Sequence, residues 1–445
     1  MSSLIVRGGT RPLAGAVTVP GDKSIGHRAV IFAAIADGPA RVRGLSGGED
    51  NRRTVAILRA LGVAIEDDGP GALRVSGRGL DALLAAAGEL DCGNSGTSIR
   101  LLSGLLASRP FVSRLGGDEY LRARPMRRVA EPLRQMGATV SGATGKKPGE
   151  LYPPLTVGGL APGKRLSGIH FDSPVASAQV KSAILLAALA AEGPTTVVEP
   201  ARSRDHTERM LAALGAPLER TGDRSCTLDP RGWDRRLAAR DLEVPGDLSS
   251  AAFLLGACAL VPGSRVTISN VGVNPTRTGV LDVLAQMGAT IDVEGLVQRG
   301  GEPVAELRGR AAPLRGVEVA GELTVRAIDE LPLIAALAAH ADGATTIRDA
   351  AELRVKESDR VAATAAMLRA LGAEVEERPD GLVIAGGGRL RPGRVDSHGD
   401  HRIAMAGAIC ALAIPGETRI DDVDNIATSF PGFAATLAEL GAEIG

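Results

Sequence analysis

The chain has 445 residues, 51 Lys and Arg against 52 Asp and Glu for a formal net charge of −1, 2% aromatic residues and four cysteines. A single core stops growing at roughly 250–300 residues, so two domains are expected, while balanced charge and scarce aromatics exclude a general nucleic-acid or membrane surface and base-stacking platforms. Cys92, Cys226, Cys258 and Cys410 lie far apart with no C-x-x-C pair, which predicts reduced thiols in a cytosolic setting and no structural zinc.

The N-terminal run Met1-Ser2-Ser3-Leu4-Ile5-Val6-Arg7-Gly8 carries no signal-peptide apolar region, and no 18-residue apolar run appears. A soluble, cytoplasmic protein is therefore expected. Farther along, one phrase recurs six times: Leu, two variable residues, Leu or Met, Gly, then a small residue. It runs from Leu58 to Val63, Leu133 to Ala138, Leu211 to Ala216, Leu284 to Ala289, Leu368 to Ala373 and Leu437 to Ala442. Its glycines are 75, 78, 73, 84 and 69 residues apart. Solenoid repeats run at roughly 20–50 residues, so the repeating unit is a larger block of several strands and helices. Each phrase predicts the end of an amphipathic helix, stopped by Gly and followed by a short strand such as Ala64-Ile65-Glu66 or Thr290-Ile291-Asp292-Val293.

Upstream of each phrase, a polar or Gly-rich opening leads into a nearly all-apolar helix, then a Gly/Pro turn and a strand. These helices are predicted over 24–36, 97–107, 177–191, 249–260, 331–341 and 401–413. A helix apolar all round must be buried, so each unit contributes one inner and one outer helix packed on strands. Three copies per domain make two similar α/β domains, with a break near 243–246. A second crossing falls at 20–22 if residues 1–19 pair with the C-terminal half, a point that periodicity does not decide. Segment 144–154, with Lys146 and Lys147, is predicted as an exposed loop.

If the buried helices are oriented alike, their N-termini collect at one end of each domain. N-termini offer unpaired N–H groups and a partial positive charge, so facing domains would form an anion-binding cleft. The openings are unusually polar. In Pro20-Gly21-Asp22-Lys23-Ser24-Ile25-Gly26-His27-Arg28, Lys23 and Arg28 suit phosphate or carboxylate, and Ser24 is placed to cap the helix. No Gly stands five positions before Gly21, which excludes a P-loop. Taken alone, this segment is equally a capped helix with two solvated cations.

Cys92-Gly93-Asn94-Ser95-Gly96-Thr97-Ser98-Ile99-Arg100 permits close backbone approach to a ligand, though an ordinary N-cap has the same composition. Arg122-Ala123-Arg124-Pro125 sets a guanidinium before a helix-starting proline, a pattern that surface arginines also produce. Next come Ser173-Pro174-Val175-Ala176-Ser177-Ala178-Gln179-Val180-Lys181 and Ser203-Arg204-Asp205-His206. Gln179 and Lys181 in the first turns of an apolar helix are costly unless they face a ligand or partner.

The most specific segment is Arg354-Val355-Lys356-Glu357-Ser358-Asp359-Arg360, with three cations and two carboxylates in seven residues. On a helix Lys356 and Arg360 would share a face and repel unless an anion sits between them. Asp329-Glu330 and Gly399-Asp400-His401-Arg402 open apolar helices nearby in the pattern, which favours a site over a solvated charge run. Asp329 at a helix start can stay ionised, and Glu357 beside cations can exchange a proton with a substrate.

The segments P-G-D-K-S-x-x-H-R, G-N-S-G-T-S-I-R, R-A-R-P, S-A-Q-V-K-S, R-V-K-E-S-D-R and G-D-H-R occur in this order along essentially the whole chain. Together they resemble the 5-enolpyruvylshikimate-3-phosphate (EPSP) synthase family. The resemblance implies two inverse (inside-out) α/β domains, each of three βαβαββ repeats. One domain would be 1–19 plus 244–445, completed by the N-terminal strand, and the other 20–243, closing over substrates in the cleft between them. The implied reaction transfers the enolpyruvyl group of phosphoenolpyruvate to the 5-hydroxyl of shikimate 3-phosphate, releasing phosphate, on the way to chorismate and the aromatic amino acids.

By the same resemblance, Lys23, Ser24, Arg28, Ser177, Gln179, Asp329 and Lys356 correspond to shikimate-phosphate contacts, with Arg204 a further phosphate contact in part of the family. Lys23, Gly96, Arg124, Gln179, Arg360 and Arg402 correspond to phosphoenolpyruvate contacts. Asp329 is expected to accept the hydroxyl proton and Glu357 to protonate C3, with Lys23 assisting. Neither metal nor organic cofactor is required, and a monomer is expected. Two positions depart from other members: Thr428-Ser429-Phe430-Pro431 lacks a lysine found there, and Ala178 replaces a serine. Both departures resemble the branch that includes glyphosate-tolerant members, yet Gly96 is retained, so inhibition by glyphosate is expected.

Two other readings compete. The sister enzyme, UDP-N-acetylglucosamine enolpyruvyl transferase, has a reactive cysteine five residues before the Arg-Pro arginine, where this chain has Glu119. A non-catalytic repeat protein that binds phosphorylated ligands needs the cations but not Asp329 and Glu357 beside them.

Overall fold

A computed structural model of the chain describes every residue except Met1, Thr10 and Lys146. The Lys146 part of the expected loop therefore lies outside the described residues; Lys147 is exposed in a turn. The loop is shorter than expected, because Tyr152–Gly158 is a strand that takes in Pro153 and Pro154.

Among the described residues, six four-stranded sheets follow one plan. In the sheet of Leu90–Asp91, Val112–Gly116, Tyr152–Gly158 and Val140–Ala143, the first two strands are parallel, while the last two form an antiparallel hairpin whose return strand lies beside the second. A parallel pair needs a crossover, and the crossover is an inner helix. The hairpin is preceded by an outer helix, so the repeat is βαβαββ.

Two compact units each hold three repeats: residues 21–244 with 299–302, and residues 1–20, 245–298 and 303–445. One repeat in the first unit and two in the second are completed from a distance in sequence. Leu242–Glu243 pairs in parallel with Pro39–Arg43 in the first unit. In the second, Ala14–Thr18 pairs with Arg265–Gly272, from Ala14 opposite Arg265 to Thr18 opposite Ser269. Ser3–Gly8 runs antiparallel to Gly416–Asp421, from Ser3 opposite Asp421 to Gly8 opposite Gly416.

The inner helices are Lys23–Ile35, Gly96–Leu106, Ala178–Ala188, Leu248–Leu260, Leu331–Ala338 and His401–Leu412. They are buried on nearly every side, as their all-apolar composition requires. The sheets lie outside them with alternating burial, seen in the exposed-buried pattern of Pro39–Arg43. Outward-facing Arg41 and Arg43 pair with Asp68 and Asp241. This is an inside-out α/β arrangement. Helix Gly96–Leu106 meets helix Ala178–Ala188 so closely that a Cβ on Gly104 would stand 2.1 Å from the Ala183 carbonyl oxygen.

The recurring phrase is a helix stop with a defined hydrogen-bond pattern. After helix Glu49–Ala60, Gly62 N–H donates to Arg59 O and Val63 N–H to Leu58 O, with Gly62 at φ 88°. The same pair of bonds closes the other five outer helices, from Gly137 and Ala138 through Gly441 and Ala442. The Leu carbonyl three residues before the cap accepts from the small residue, and only a residue at ease with positive φ fits between. Among the described residues, no helix is long and apolar enough to cross a membrane.

Candidate active site

In the 21–244 unit the three inner helices are cross-linked at their first turns. Arg28 donates from Nε to Thr207 Oγ1 (2.7 Å), from Nη1 to Ser24 O (2.8 Å) and from Nη2 to Ser182 Oγ (2.8 Å). Gln179 Nε2 donates to Thr97 Oγ1 at 2.9 Å. His27 Nδ1, Thr54 Oγ1 and Ser98 Oγ form a chain with both links at 2.8 Å. These bonds require the helices to start side by side, so their partial positive charges gather. Asp22, not Ser24, caps the first helix, accepting from Ile25 N at 2.9 Å; Ser24 lies inside it. Lys23 Nζ is held by Asp50 at 3.1 Å, and Asn51 Nδ2 donates to Lys23 O.

Gly96 starts its helix behind Ser95, whose Oγ accepts from Ser98 N at 3.1 Å. Arg124 Nη2 donates to Asn94 Oδ1 at 2.6 Å, and Arg100 Nη1 donates to Gln179 Oε1. The helix after Arg124-Pro125 begins only at Arg127, with Met126 at its N-cap, so the proline stands before the helix and does not start it. Ser177 caps helix Ala178–Ala188, its backbone N–H donating to Glu199 Oε1 at 3.0 Å. Lys181 is answered by partners within the protein: its Nζ lies 2.6 Å from Glu199 and 2.8 Å from Glu208, all three buried.

Arg204 stands in the loop before helix His206–Ala213, near enough to Arg28 to act on its charge. Burial pushes the Arg28 guanidinium down to about 10, with Glu208 and Asp22 opposing and Arg204 reinforcing the shift. Burial also holds His27 down to about 4, far below an ordinary imidazole. A folded-state value below the unfolded one means the unfolded chain binds more protons, so stability falls as pH drops from about 6.5 toward 4. The contribution approaches about 3 kcal/mol. Urea unfolding across that range should show a shallower pH slope for His27→Gln than for the parent chain.

The other unit gathers its residues at the starts of helices Leu331–Ala338 and His401–Leu412. Lys356 is not on a helix. It follows the short turn Ala351–Val355, and Arg360 begins helix Arg360–Ala370 with Asp359 as its cap. The two cations converge instead on one carboxylate: Asp329 Oδ1 is 3.5 Å from Lys356 Nζ and 3.6 Å from Arg360 Nη1. Their repulsion is answered by a side chain of the protein.

Arg360 also holds Glu357 at 2.7 Å and Asp400 at 2.8 Å, and is buried. Burial works against its charge, but Glu357, Asp400 and Asp329 outweigh it and raise its pKa. Asp400 is likewise buried, yet Arg360 and His401 hold its carboxyl below the usual range. Asp400 caps helix His401–Leu412 through Arg402 N at 2.9 Å, and Arg402 Nη1 donates to Asp329 O at 2.8 Å. Thr428 Oγ1 donates to Asn425 O at 2.7 Å, ending the turn Asp424–Thr428.

Thus Lys23, Ser24, Arg28, Gly96, Arg124, Ser177, Gln179 and Arg204 belong to one unit, and Asp329, Lys356, Glu357, Arg360 and Arg402 to the other. Sequence reasoning passed over Asp50, Ser249 and Arg277 as contributors, and took in Arg100 and Glu330 only as members of their segments, with no role of their own. Asp247 ahead of an apolar helix was a visible cap signal for the Ser249 segment; Asp50 and Arg277 show no local pattern.

The family model for EPSP synthase (3-phosphoshikimate 1-carboxyvinyltransferase) matches residues 7–437. A 3-phosphoshikimate 1-carboxyvinyltransferase of Acidithiobacillus ferrooxidans is 52% identical over 441 residues, covering 99% of this chain and 98% of the relative. One from Geobacter sulfurreducens is 52% identical over 427 residues, 96% of each chain. The EPSP synthase structure from Acinetobacter baumannii superposes with a TM-score of 0.88 at 42% identity, covering 100% of this chain and 99% of that one. The enolpyruvyl transferase NikO from Streptomyces tendae, at 24% identity and a TM-score of 0.80, shares the fold. With its six repeats, its paired helix-start clusters and this likeness over its whole length, the chain belongs to the EPSP synthase (3-phosphoshikimate 1-carboxyvinyltransferase) family.

Proposed function

We propose that this protein transfers the enolpyruvyl group of phosphoenolpyruvate to the 5-hydroxyl of shikimate 3-phosphate and releases phosphate, a step of the shikimate pathway. The observation that carries the reading is the convergence of Lys356 and Arg360 on Asp329, with Glu357 on the same guanidinium. Two anionic substrates repel each other, and fixed cations at helix starts offset that repulsion. Joining them needs one proton taken from a hydroxyl and one delivered to C3, and carboxylates already positioned by cations suit both tasks.

In this reading Asp329 accepts the hydroxyl proton, Glu357 protonates C3 and Lys23 assists. Lys23, Ser24, Arg28, Ser177, Gln179, Arg204, Asp329 and Lys356 bind shikimate 3-phosphate. Lys23, Gly96, Arg124, Gln179, Arg360 and Arg402 bind phosphoenolpyruvate. Residues of both units thus serve one reaction, without metal or organic cofactor, in a cytoplasmic monomer.

The sister-enzyme reading lacks its thiol. Glu119 occupies that position at the start of helix Glu119–Arg122. All four cysteines are buried, and burial pushes the Cys226 and Cys410 thiols up to about 12. A phosphate-release assay tests the proposal: release should require phosphoenolpyruvate and shikimate 3-phosphate together. Release with UDP-N-acetylglucosamine instead would favour the sister enzyme, and no release with either would favour a binding protein.

Glyphosate should inhibit that release, and Gly96→Ala should weaken the inhibition. A Cβ at Gly96 would stand 2.9 Å from Arg124 Nη1 and 3.0 Å from Arg100 Nη1, so both guanidinium groups must shift. Inhibition titrations of the two proteins check this; equal inhibition refutes it.

A further inference from the structure

Glu330 occupies the N-cap position of helix Leu331–Ala338 but makes no side-chain cap. Its carboxyl group is 2% exposed and turns to other partners. Ser249 Oγ donates to Glu330 Oε1, and Arg402 Nη1 lies 3.4 Å from the same oxygen. Ser249 Oγ in turn accepts from Arg402 Nη2 at 3.4 Å and from Arg277 Nη2 at 2.5 Å. Arg277 Nη2 also reaches Asp247 Oδ1 at 3.0 Å, and Asp247 caps helix Leu248–Leu260 through Ser249 N. All five side chains are buried. Two guanidinium groups and two acidic side chains alternate around one hydroxyl.

This arrangement spends Nη1 of Arg402 on Asp329 O and Glu330, and one Nη2 hydrogen on Ser249. The Nε–H and the second Nη2 hydrogen have no protein partner among the described residues. Those two donors can meet two oxygens of one carboxylate or phosphate. Bidentate binding depends on the plane of the guanidinium, and that plane is set by the groups behind it.

We propose that Glu330, with Ser249 and Arg277, is a positioning residue that orients Arg402 toward the anionic oxygens of phosphoenolpyruvate. The inference rests on the reaction proposed above. Glu330 does not touch substrate. It fixes the donor that does, so its loss acts on one substrate selectively.

The test is steady-state kinetics on the full chain with each substrate varied in turn. Glu330→Ala and Ser249→Ala should each raise KM for phosphoenolpyruvate by about tenfold or more, with KM for shikimate 3-phosphate little changed. Glu330→Gln, whose amide oxygen can still accept from Ser249 and Arg402, should recover most of that loss. Removing Glu330 and Ser249 together should cost less than the product of the single effects, because both act through Arg402. Equal rises for both substrates, or an unchanged KM for phosphoenolpyruvate in Glu330→Ala or in Ser249→Ala, overturn the inference. Absence of turnover by the parent chain would instead overturn the proposed reaction, so the two failures are distinct.

Discussion

Glu357→Gln is expected to lower kcat by about 10²–10⁴-fold while leaving the protein folded. The amide keeps the shape of the glutamate and can still accept from Arg360, which holds the native side chain at 2.7 Å. It cannot deliver a proton to C3. The decisive measurement is incorporation of solvent hydrogen at C3 of phosphoenolpyruvate: exchange should collapse with the substitution, and undiminished exchange removes Glu357 from that role. Asp329→Asn should lower kcat by a similar factor and also weaken substrate binding. Its carboxylate is what Lys356 and Arg360 share, at 3.5 and 3.6 Å, so losing the charge restores their mutual repulsion. Comparing the two variants separates proton delivery from charge neutralisation, since only Asp329→Asn should disturb the placement of both cations.

The second large effect concerns stability. Lys181→Met should destabilise the protein by about 3–5 kcal/mol, read from urea unfolding. Lys181 is 6% exposed and neutralises Glu199 and Glu208, themselves 2% and 3% exposed. Burial opposes the lysine's charge, but the two glutamates outweigh it and raise its pKa. Taking the cation away leaves two buried carboxyl groups without their counter-charge, which the interior cannot solvate. Lowering the pH should lessen the deficit, because protonating the glutamates removes the uncompensated charge. A deficit that stays constant from neutral to acid pH would show that lost packing, not charge, is the cause. Glu199 also accepts the Ser177 N–H, so the triad ties core stability to the start of the helix that carries Gln179.

The inner helices were legible because their signal is local. An uninterrupted apolar run behind a polar opening predicts 24–36, 97–107 and 401–413, and the helices found are Lys23–Ile35, Gly96–Leu106 and His401–Leu412. The outer helix stops were legible for the same reason, since each phrase of Leu, two variable residues, Leu or Met, and Gly contains all the groups that close its end. Errors arose where a local rule had a nearby competitor. Ser24 is a cap residue by type, but Asp22, two residues earlier in the chain, accepts the Ile25 N–H. On one helix Lys356 and Arg360 would share a face, whereas Asp359 caps a helix that starts only at Arg360.

The chain alone determined that six α/β repeats exist, where their buried helices and glycine stops fall, and which openings carry cations and carboxylates. Each of those follows from residues within one or two helical turns of each other. Tertiary structure decided which distant groups meet: Lys181 with Glu199 and Glu208, Ser249 with Glu330 across 81 positions, and Arg402 with Ser249 across 153. It also decided that strands Ser3–Gly8 and Ala14–Thr18 complete sheets built from the C-terminal half. Sheet pairing and buried ion pairing depend on distance in space and on burial, and a linear pattern records neither.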